Sequence, residues 1–246
     1  MLDVKPEKKK KKSCSSEDDI KHMSPKLFTY LKDRVIKVEE STYDYFMNLE
    51  FQDMKSLLRG VKMSKNALYY GLLYVTHRRR QNTKMTIVSP IKIAEIVNGE
   101  KDPSSIIDPS WYEKDTNTFY PIQKYDHWVL LVTKTSEAGI MGAVFDSRNS
   151  SETITQESLD LFEEILKKSN LPQISMIQNK TTPQNDSHSS GIRVIYMAKE
   201  ILFKLSGPTP DRLDKKMNIS YGSQNISDLR SFISTKYSKW LDNIRN

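Results

Sequence analysis

The chain has 246 residues, of which 37% are hydrophobic and 9% aromatic, a composition that suits a soluble globular protein with one main core. No stretch approaches the roughly 18 to 20 apolar residues of a membrane span, and no apolar signal-peptide core follows the N-terminal lysines. The single cysteine, Cys14, excludes an intramolecular disulfide framework and a thiolate zinc site. We therefore expect a soluble intracellular protein.

The net charge of +7 is concentrated at the amino terminus. Residues 1–12 contain six lysines against Asp3 and Glu7, so this segment carries +4 and the rest of the chain +3. Such a lysine run is typical of a solvated, disordered tail, and it also suits electrostatic contact with anionic partners. A second basic cluster spans residues 77–84. Neither cluster has the interleaved aromatic residues of a nucleic-acid-binding module, so no obligatory nucleic-acid partner is expected.

The first half of the chain is predicted to be mainly helical. Residues 1–24 are charged and serine-rich and are predicted to be disordered. The apolar spacing within residues 24–49 predicts one or two helices, and residues 65–77 predict a buried helix. Proline and glycine then interrupt residues 86–108, where a short strand or helix precedes a loop at Asn98 and Gly99.

The clearest pattern is a β-hairpin over residues 127–148, where two β-rich runs flank a short polar turn. If the strands fold about a turn centred between Ser136 and Glu137, His127 and Asp146 become direct cross-strand neighbours. The Cβ atoms of such neighbours lie roughly 4.5 to 5.5 Å apart, which lets an imidazole meet a carboxylate. This pair is either part of a catalytic site or a surface ion pair.

The second half of the chain continues with a helix, a strand and two further helices. Thr155 is the predicted N-cap of an amphipathic helix, residues 172–180 predict a strand, and the last helix is predicted from about Ser227. Between them, "QNDSHSSG" leads into an apolar helical pattern at Ser190. Because a helix N-terminus carries unpaired N–H groups and partial positive charge, Ser190 marks either a nucleophile or anion site or an ordinary helix start.

Three segments of the second half together resemble one family. "FYPIQKYDHWVLLV", "VFDSR" and "PQNDSHSSG" are similar, in order, to the His-Trp strand, the Asp strand and the Gln…Asp-Cys-Gly nucleophile segment of the ubiquitin-like-protein-specific proteases. These are clan CE cysteine proteases, which include SUMO deconjugases and bacterial deubiquitinase effectors. The resemblance implies an α+β, papain-like cysteine protease fold with a central mixed or antiparallel sheet flanked by helices.

The resemblance covers roughly residues 119–205 and implies a division of the chain. A disordered basic tail (1–24) would precede a protease domain (25–246). Within that domain, a helical and variable half (25–118) would recognise the substrate, and residues 119–205 would form the catalytic core.

The resemblance also implies the catalytic roles. His127 would be the general base and later the general acid, and Asp146 would orient its ring. Ser190 stands at the nucleophile position, where the family has cysteine. Gln184 stands six residues before it, as the family's glutamine does, and would stabilise an oxyanion together with the backbone N–H of residue 190.

Three neighbouring residues are open to a second interpretation. Trp128 resembles the tryptophan that covers the family's narrow channel for the Gly-Gly tail of the substrate, although an isolated tryptophan here would be core packing. Gly191 would let a substrate backbone approach closely, or would only allow a tight helix start. His188, in the same loop as Gln184, is a weaker rival for the role of base.

Two departures from the family pattern concern the nucleophile. Ser190 replaces the catalytic cysteine, and Ser189 replaces the aspartate that usually precedes it. The amino-terminal Trp-Leu-x-Asp signature of eukaryotic members is also not evident. Because a serine gains little from a histidine matched to thiolate chemistry, the chain should be nearly inert. A cysteine-to-serine change at the nucleophile explains this most simply, and a natural pseudoprotease that binds a modifier is the alternative.

The implied reaction is hydrolysis of the isopeptide or peptide bond after the C-terminal glycine of ubiquitin or a ubiquitin-like modifier, with no cofactor. The divergent amino-terminal half is closer to the bacterial effector branch, which favours ubiquitin and action in a host cytoplasm or nucleus. An acetyl-CoA-dependent acetyltransferase effector of the YopJ type has a similar order of His, acid and Cys and remains an alternative. A true serine hydrolase is disfavoured because the Gly-x-Ser-x-Gly elbow is absent around Ser190.

Overall fold

The structure, a computed structural model, describes residues 61–77, 85–102, 112–137, 139–148, 152–168, 174–179, 181–206 and 217–233, together with Asp53, Ser56, Asp108 and Leu213. The helices are α1 (Lys65–His77), α2 (Pro90–Val97), α3 (Glu152–Lys168), α4 (Ser190–Leu205) and α5 (223–233). The strands are β1 (Met85–Ile87), β2 (Asn117–Lys124), β3 (His127–Ser136), β4 (Gly139–Phe145) and β5 (Ser175–Asn179). The predicted tail and the helices predicted over residues 24–49 lie outside the described residues.

The five strands form one mixed sheet in the order β1-β2-β3-β4-β5. The central strands β2, β3 and β4 are antiparallel, whereas β1 and β5 pair in parallel with their neighbours at the two edges. The predicted hairpin is confirmed as β3 and β4, and it lies at the centre of this sheet. None of the helices in the described ranges is long and apolar enough to cross a membrane.

Helices cover both faces of the sheet, which explains why β3 is an almost unbroken apolar run. Trp128, Leu130 and Val132 face a core shared with α1, α4 and α5. Val129 and Leu131 point to the other face, where they join a second core with α2 and α3. The helix α4 therefore packs directly on β3 and α1, and this contact brings the helix that begins at Ser190 against the strand that begins at His127.

Two helix starts differ from the sequence prediction. The helix α3 begins at Glu152, three residues before Thr155, so Thr155 lies inside the helix and is not its N-cap. The helix α5 begins at residue 223, four residues before Ser227. Its start is fixed by Asn225, whose side-chain oxygen accepts a hydrogen bond from the Gly222 N–H at 2.8 Å, the reciprocal half of a capping box.

The predicted register of the hairpin is wrong by one residue at the turn. Ser136 pairs with Gly139 and Leu130 with Phe145, so the turn is centred one residue later than predicted. Asp146 is consequently two positions away from the residue directly opposite His127. Because side chains alternate with a period of two, this shift keeps both on the same face of the sheet, and a diagonal pair is still within reach of a long side chain.

Candidate active site

His127 and Asp146 meet in the interior of the protein. His127 opens β3 and Asp146 directly follows the end of β4. The ring Nε2 lies 2.6 Å from the carboxylate Oδ1, and the two residues are 0% and 1% exposed. The predicted contact is therefore confirmed, and the burial rules out a surface ion pair.

The surroundings of Asp146 fix where the imidazole proton sits. The same Oδ1 accepts the Arg148 N–H at 2.8 Å, and the Asp146 carbonyl accepts the Thr181 hydroxyl at 2.7 Å. A carboxylate only accepts hydrogen bonds, so the neutral ring carries its proton on Nε2 and presents Nδ1 as a lone pair. Nδ1 is buried and has no hydrogen-bond partner among the described residues. An unmet buried acceptor is costly and needs an explanation, which makes Nδ1 of His127 a candidate functional atom.

The turn that leads into His127 is strained. Tyr125 and Asp126 both have left-handed φ angles, 46° and 60°, where Asn-Gly is the favoured pair. Lys62 Nζ donates a 2.8 Å hydrogen bond to Asp126 Oδ2, and this hydrogen bond and the lysine charge hold the pKa of Asp126 below its ordinary value. This tight turn determines where His127 enters the sheet.

Gln184 is held by its neighbours at three points. Its backbone N–H donates to the Ser147 carbonyl at 2.6 Å, and the Ser147 hydroxyl donates to the side-chain Oε1 at 2.8 Å. Its Nε2 donates to the Asp186 carbonyl at 2.5 Å. Because the Ser147 hydroxyl fixes Oε1, the amide nitrogen points to the other side, and one of its two N–H groups has no hydrogen-bond partner in the part of the chain that the structure describes.

Asp186 closes the loop that precedes α4. Its Oδ1 accepts the N–H groups of His188 and Ser189 at 2.9 and 2.6 Å, and its Oδ2 accepts the Ser189 hydroxyl at 2.7 Å. Partial burial alone would raise the pKa of Asp186, but these hydrogen bonds stabilise the carboxylate and hold its pKa below the ordinary value of 3.8. The loop between Gln184 and α4 is thus organised around one charged side chain.

Ser190 is the first residue of α4 and is 3% exposed. The N-cap residue, Ser189, makes no side-chain hydrogen bond to the helix N–H groups, and the first turn contains no acidic residue. The backbone N–H groups at this end of α4 are therefore not capped by Ser189 or neutralised by a carboxylate of the first turn. This is the electrostatic setting in which a thiolate is stabilised.

Trp128 and Gly191 share a contact with Met63, a residue that the sequence did not single out. Trp128 is 2% exposed, and its indole N–H donates to the Met63 carbonyl at 3.3 Å. A Cβ at Gly191 would lie 2.6 Å from the Met63 Cβ, so glycine is required here by packing. The contact of Trp128 and Gly191 with substrate stays a prediction. No local signal could reveal Met63, because the contact joins residues 65 positions apart.

The rival base, His188, is in a more open environment. Its Nδ1 lies 3.5 Å from Asp186 Oδ1, and its side chain is 34% exposed. The Asp186 carboxylate is already engaged by two N–H groups and a hydroxyl. The buried pair of His127 and Asp146 is therefore the better candidate for a base and its orienting carboxylate.

No protein-family model and no curated protein sequence matches the chain. Solved structures share its fold, and three of them illustrate the similarity to this chain. A de-sumoylating protease superposes with a TM-score of 0.58 at 14% identity, covering 79% of this chain and 87% of that protein. The catalytic domain of the Ulp1-like SUMO protease of Chaetomium thermophilum gives a TM-score of 0.52 at 14% identity, covering 76% and 77%. A mutant of XopD from Xanthomonas gives a TM-score of 0.52 at 14% identity, covering 70% of this chain and 98% of that protein.

The chain therefore has the α+β fold of the Ulp1- and XopD-type proteases, with a mixed five-stranded sheet flanked by helices. This confirms the predicted fold class. Identities of this size establish the fold alone, so the reaction has to be argued from the site.

Proposed function

We propose that this chain is a protease domain for ubiquitin or a ubiquitin-like modifier, with a serine at the position of the nucleophilic cysteine. The observation that carries the proposal is the buried pair of His127 and Asp146. In this pair His127 Nε2 contacts the carboxylate, and Nδ1 of the same ring has no hydrogen-bond partner among the described residues and can act as a base. Its support is threefold: the pair, the uncapped start of α4 at Ser190, and a fold shared with de-sumoylating proteases.

The first half-reaction applies to a Ser190→Cys variant. The thiol proton moves to His127 Nδ1, and the thiolate attacks the carbonyl carbon of the modifier's last glycine. The resulting oxyanion takes hydrogen bonds from the Gln184 side-chain amide and the backbone N–H of residue 190. The C–N bond then breaks, and the imidazolium gives its proton to the departing amine. A thioester links the modifier to the enzyme.

The second half-reaction returns the enzyme to its starting state. Water attacks the thioester carbonyl while His127 Nδ1 takes one of its protons. The C–S bond breaks, the thiolate is protonated by the imidazolium, and the modifier leaves with a free C-terminal carboxylate. Asp146 orients the ring and stabilises its positive charge in both steps without taking the proton itself.

With serine at position 190, the same site should bind the modifier and scarcely cleave it. An imidazolium next to a helix N-terminus can hold a thiolate, because the thiol pKa is close to that of imidazole. A serine hydroxyl has a far higher pKa and stays protonated in the same setting. Serine is close to cysteine in size, so the recognition surface is expected to be unchanged.

The test of this function is covalent capture. The Ser190→Cys variant should form an adduct with ubiquitin or SUMO bearing a C-terminal electrophile, and the panel decides which modifier is preferred. Ser190→Ala, and Ser190→Cys combined with His127→Gln, serve as controls. If Ser190→Cys reacts with neither modifier but acetylates itself with acetyl-CoA, the chain is an acetyltransferase and the protease proposal fails.

Ser190 itself favours a second candidate function, that of a natural pseudoprotease. In that case the unchanged chain should bind a modifier tightly in a titration with the free protein. The Ser190→Cys variant should then gain no reactivity towards the electrophilic probes. Adduct formation by Ser190→Cys, at a rate that depends on His127, would exclude this second candidate.

A further inference from the structure

Arg193 connects the first turn of α4 to the loop before it. Its guanidinium Nε donates to the Ser189 hydroxyl oxygen at 2.8 Å, and Nη1 donates to the carbonyls of Thr182 and Pro183, both at 3.2 Å. The residue is 9% exposed and lies over the Tyr221 ring at 5.3 Å. No carboxylate within the described ranges forms an ion pair with it. A buried cation of this kind requires compensation from nearby acceptors or charges.

Ser189 supplies the link between this cation and the nearest carboxylate of the loop. Its hydroxyl donates to Asp186 Oδ2 at 2.7 Å and at the same time accepts from Arg193 Nε. A hydroxyl can donate and accept at once, so the Ser189 hydroxyl bonds to the carboxylate and to the guanidinium simultaneously. Hydrogen bonds in such a chain polarise one another. The carboxylate of Asp186 is thus connected to the guanidinium of Arg193 through the hydroxyl of Ser189.

Asp186 contacts one of the two groups that would stabilise an oxyanion, the Gln184 amide, and the residues that directly precede the other. Its carboxylate holds the N–H groups of residues 188 and 189, immediately before the backbone N–H of residue 190. Its carbonyl accepts the side-chain N–H of Gln184 at 2.5 Å. The two oxyanion donors, at positions 184 and 190, lie six residues apart in sequence. Asp186 lies between them and forms hydrogen bonds with Gln184 on one side and with residues 188 and 189 on the other.

We propose that Asp186 and Ser189 are positioning residues, which act through Arg193 to fix the Gln184 amide relative to the start of α4 and its oxyanion donor, the backbone N–H of residue 190. This inference rests on the proposed function and deepens it. In the proposed mechanism neither residue touches substrate. Misplacing an oxyanion donor slows the chemical step, whereas the binding of the modifier depends on other surfaces.

The experiment compares Ser189→Ala with Ser189→Thr in the Ser190→Cys background. Alanine removes the hydroxyl, and threonine keeps it. The rate of adduct formation at saturating modifier probe should fall about 10- to 100-fold for Ser189→Ala and Asp186→Asn, and the Ser189→Thr rate should stay near the parent rate. Asp160→Asn, an exposed carboxylate of α3 that accepts from Gln156, is the matched control and should change nothing.

Two further measurements separate positioning from a general structural role. The double variant Asp186→Asn with Ser189→Ala should be no slower than the slower of the two single variants, because the pair acts as one unit. The affinity of the Ser190 form for the modifier should change by less than about twofold with each substitution. Additive losses of rate, or losses of affinity as large as the losses of rate, would overturn the proposal.

Amide hydrogen exchange of the unchanged chain gives a readout that does not depend on catalysis. The N–H groups of residues 188 and 189 should exchange faster in Asp186→Asn and in Ser189→Ala, but not in Ser189→Thr. Unchanged exchange in all three variants would overturn the loop assignment. If Ser190→Cys reacts with no modifier probe while exchange rises as described, the proposed function fails and the catalytic role with it, while the structural link from Asp186 to Arg193 stands.

Discussion

The two halves of the candidate site are built in different ways. The acid–base half, His127 and Asp146, lies at the ends of central strands and is fully buried between two helical layers. The loop half, residues 184–189, forms neither helix nor strand, and its conformation is fixed by side-chain hydrogen bonds. The first half is positioned by the sheet, and the second by a small number of polar contacts.

The difference has an energetic consequence. A strand position is supported by a ladder of backbone hydrogen bonds and by packed apolar side chains, so one substitution rarely moves it. A loop fixed by side chains depends on bonds that each contribute about 0.5 to 1.5 kcal/mol. Substitutions in the acid–base half should therefore remove chemistry without moving the backbone, whereas substitutions in the loop half should move the groups that remain.

The largest effect is expected at His127. In the Ser190→Cys background, His127→Gln should lower the rate of adduct formation with a modifier probe by about 10²- to 10⁴-fold, the range for a lost general base. Glutamine keeps an N–H that can bond to Asp146, so the buried carboxylate is not left unpaired. Circular dichroism and the thermal midpoint should remain close to those of the parent. A large fall in stability would show that the sheet does not hold this half as rigidly as described.

The next largest effect is expected at Gln184. Gln184→Ala in the Ser190→Cys background should slow adduct formation by about 10²- to 10³-fold, the scale of one oxyanion donor. Ser147→Ala leaves the amide present but free to rotate, because Oε1 loses its 2.8 Å partner, so its loss of rate should be smaller. Equal losses in the two variants would mean that orientation matters as much as presence. No loss in either would remove Gln184 from the mechanism.

For the acid–base half, the sequence predicted the contact between His127 and Asp146 correctly but the register of the two strands incorrectly. The two β-rich runs identify β3 and β4, and they place His127 and Asp146 on one face, because the face of a side chain depends only on the parity of its position. The position of the turn within residues 136–139 depends on which residues adopt a left-handed conformation, and Gly139 does so with φ 117°. The sequence offers several centres for such a short polar turn, so the register prediction missed by one residue.

Most contacts of the loop half could not be predicted from the sequence. Ser147, Thr181 and Arg193 act through side chains that bond across the fold, for instance the hydroxyl of Thr181 to the carbonyl of Asp146, 35 residues away. Asp186 carries a usable signal, because an aspartate in the loop just before a helix often accepts hydrogen bonds from backbone N–H groups that follow it in the loop. The helix α1 was predicted over the residues that form it, since its pattern is local.

The packing beneath the start of α4 gives a prediction of intermediate size. Gly191→Ala should lower the free energy of unfolding by about 1 to 3 kcal/mol, because the new Cβ would lie 2.6 Å from the Met63 Cβ, which cannot rotate away. Gly71→Ala is the matched control in α1. Its nearest atom is the Ile195 Cδ1 at 2.4 Å, the end of a flexible side chain, and alanine favours the helix. In urea denaturation, Gly191→Ala should have a lower free energy of unfolding than Gly71→Ala. The reverse order would contradict the rigid packing of this region.

The smallest effect is expected from titration of the loop half. The pKa of Asp186 is held below 3.8 in the folded protein by hydrogen bonds from Ser189 and His188, so its contribution to stability is present above the unfolded value. It is lost as pH falls through the lower, folded pKa. The difference in unfolding free energy between the unchanged chain and Asp186→Asn should therefore be constant above pH about 5 and vanish in more acidic solution.

Two other charged groups face Asp186 and need a control. The His188 ring lies 3.5 Å away, and the positive charge of Arg230, whose own pKa is lowered by burial, acts on it from α5. Repeating the comparison in a His188→Gln background removes the imidazole, while Arg230 stays charged throughout this pH range. The acid-dependent difference should persist without His188, because the strongest bonds to Asp186 come from the Ser189 hydroxyl and the loop N–H groups. A difference that disappears with His188 would assign the pH dependence to the imidazole and leave Asp186 without an electrostatic role in the loop.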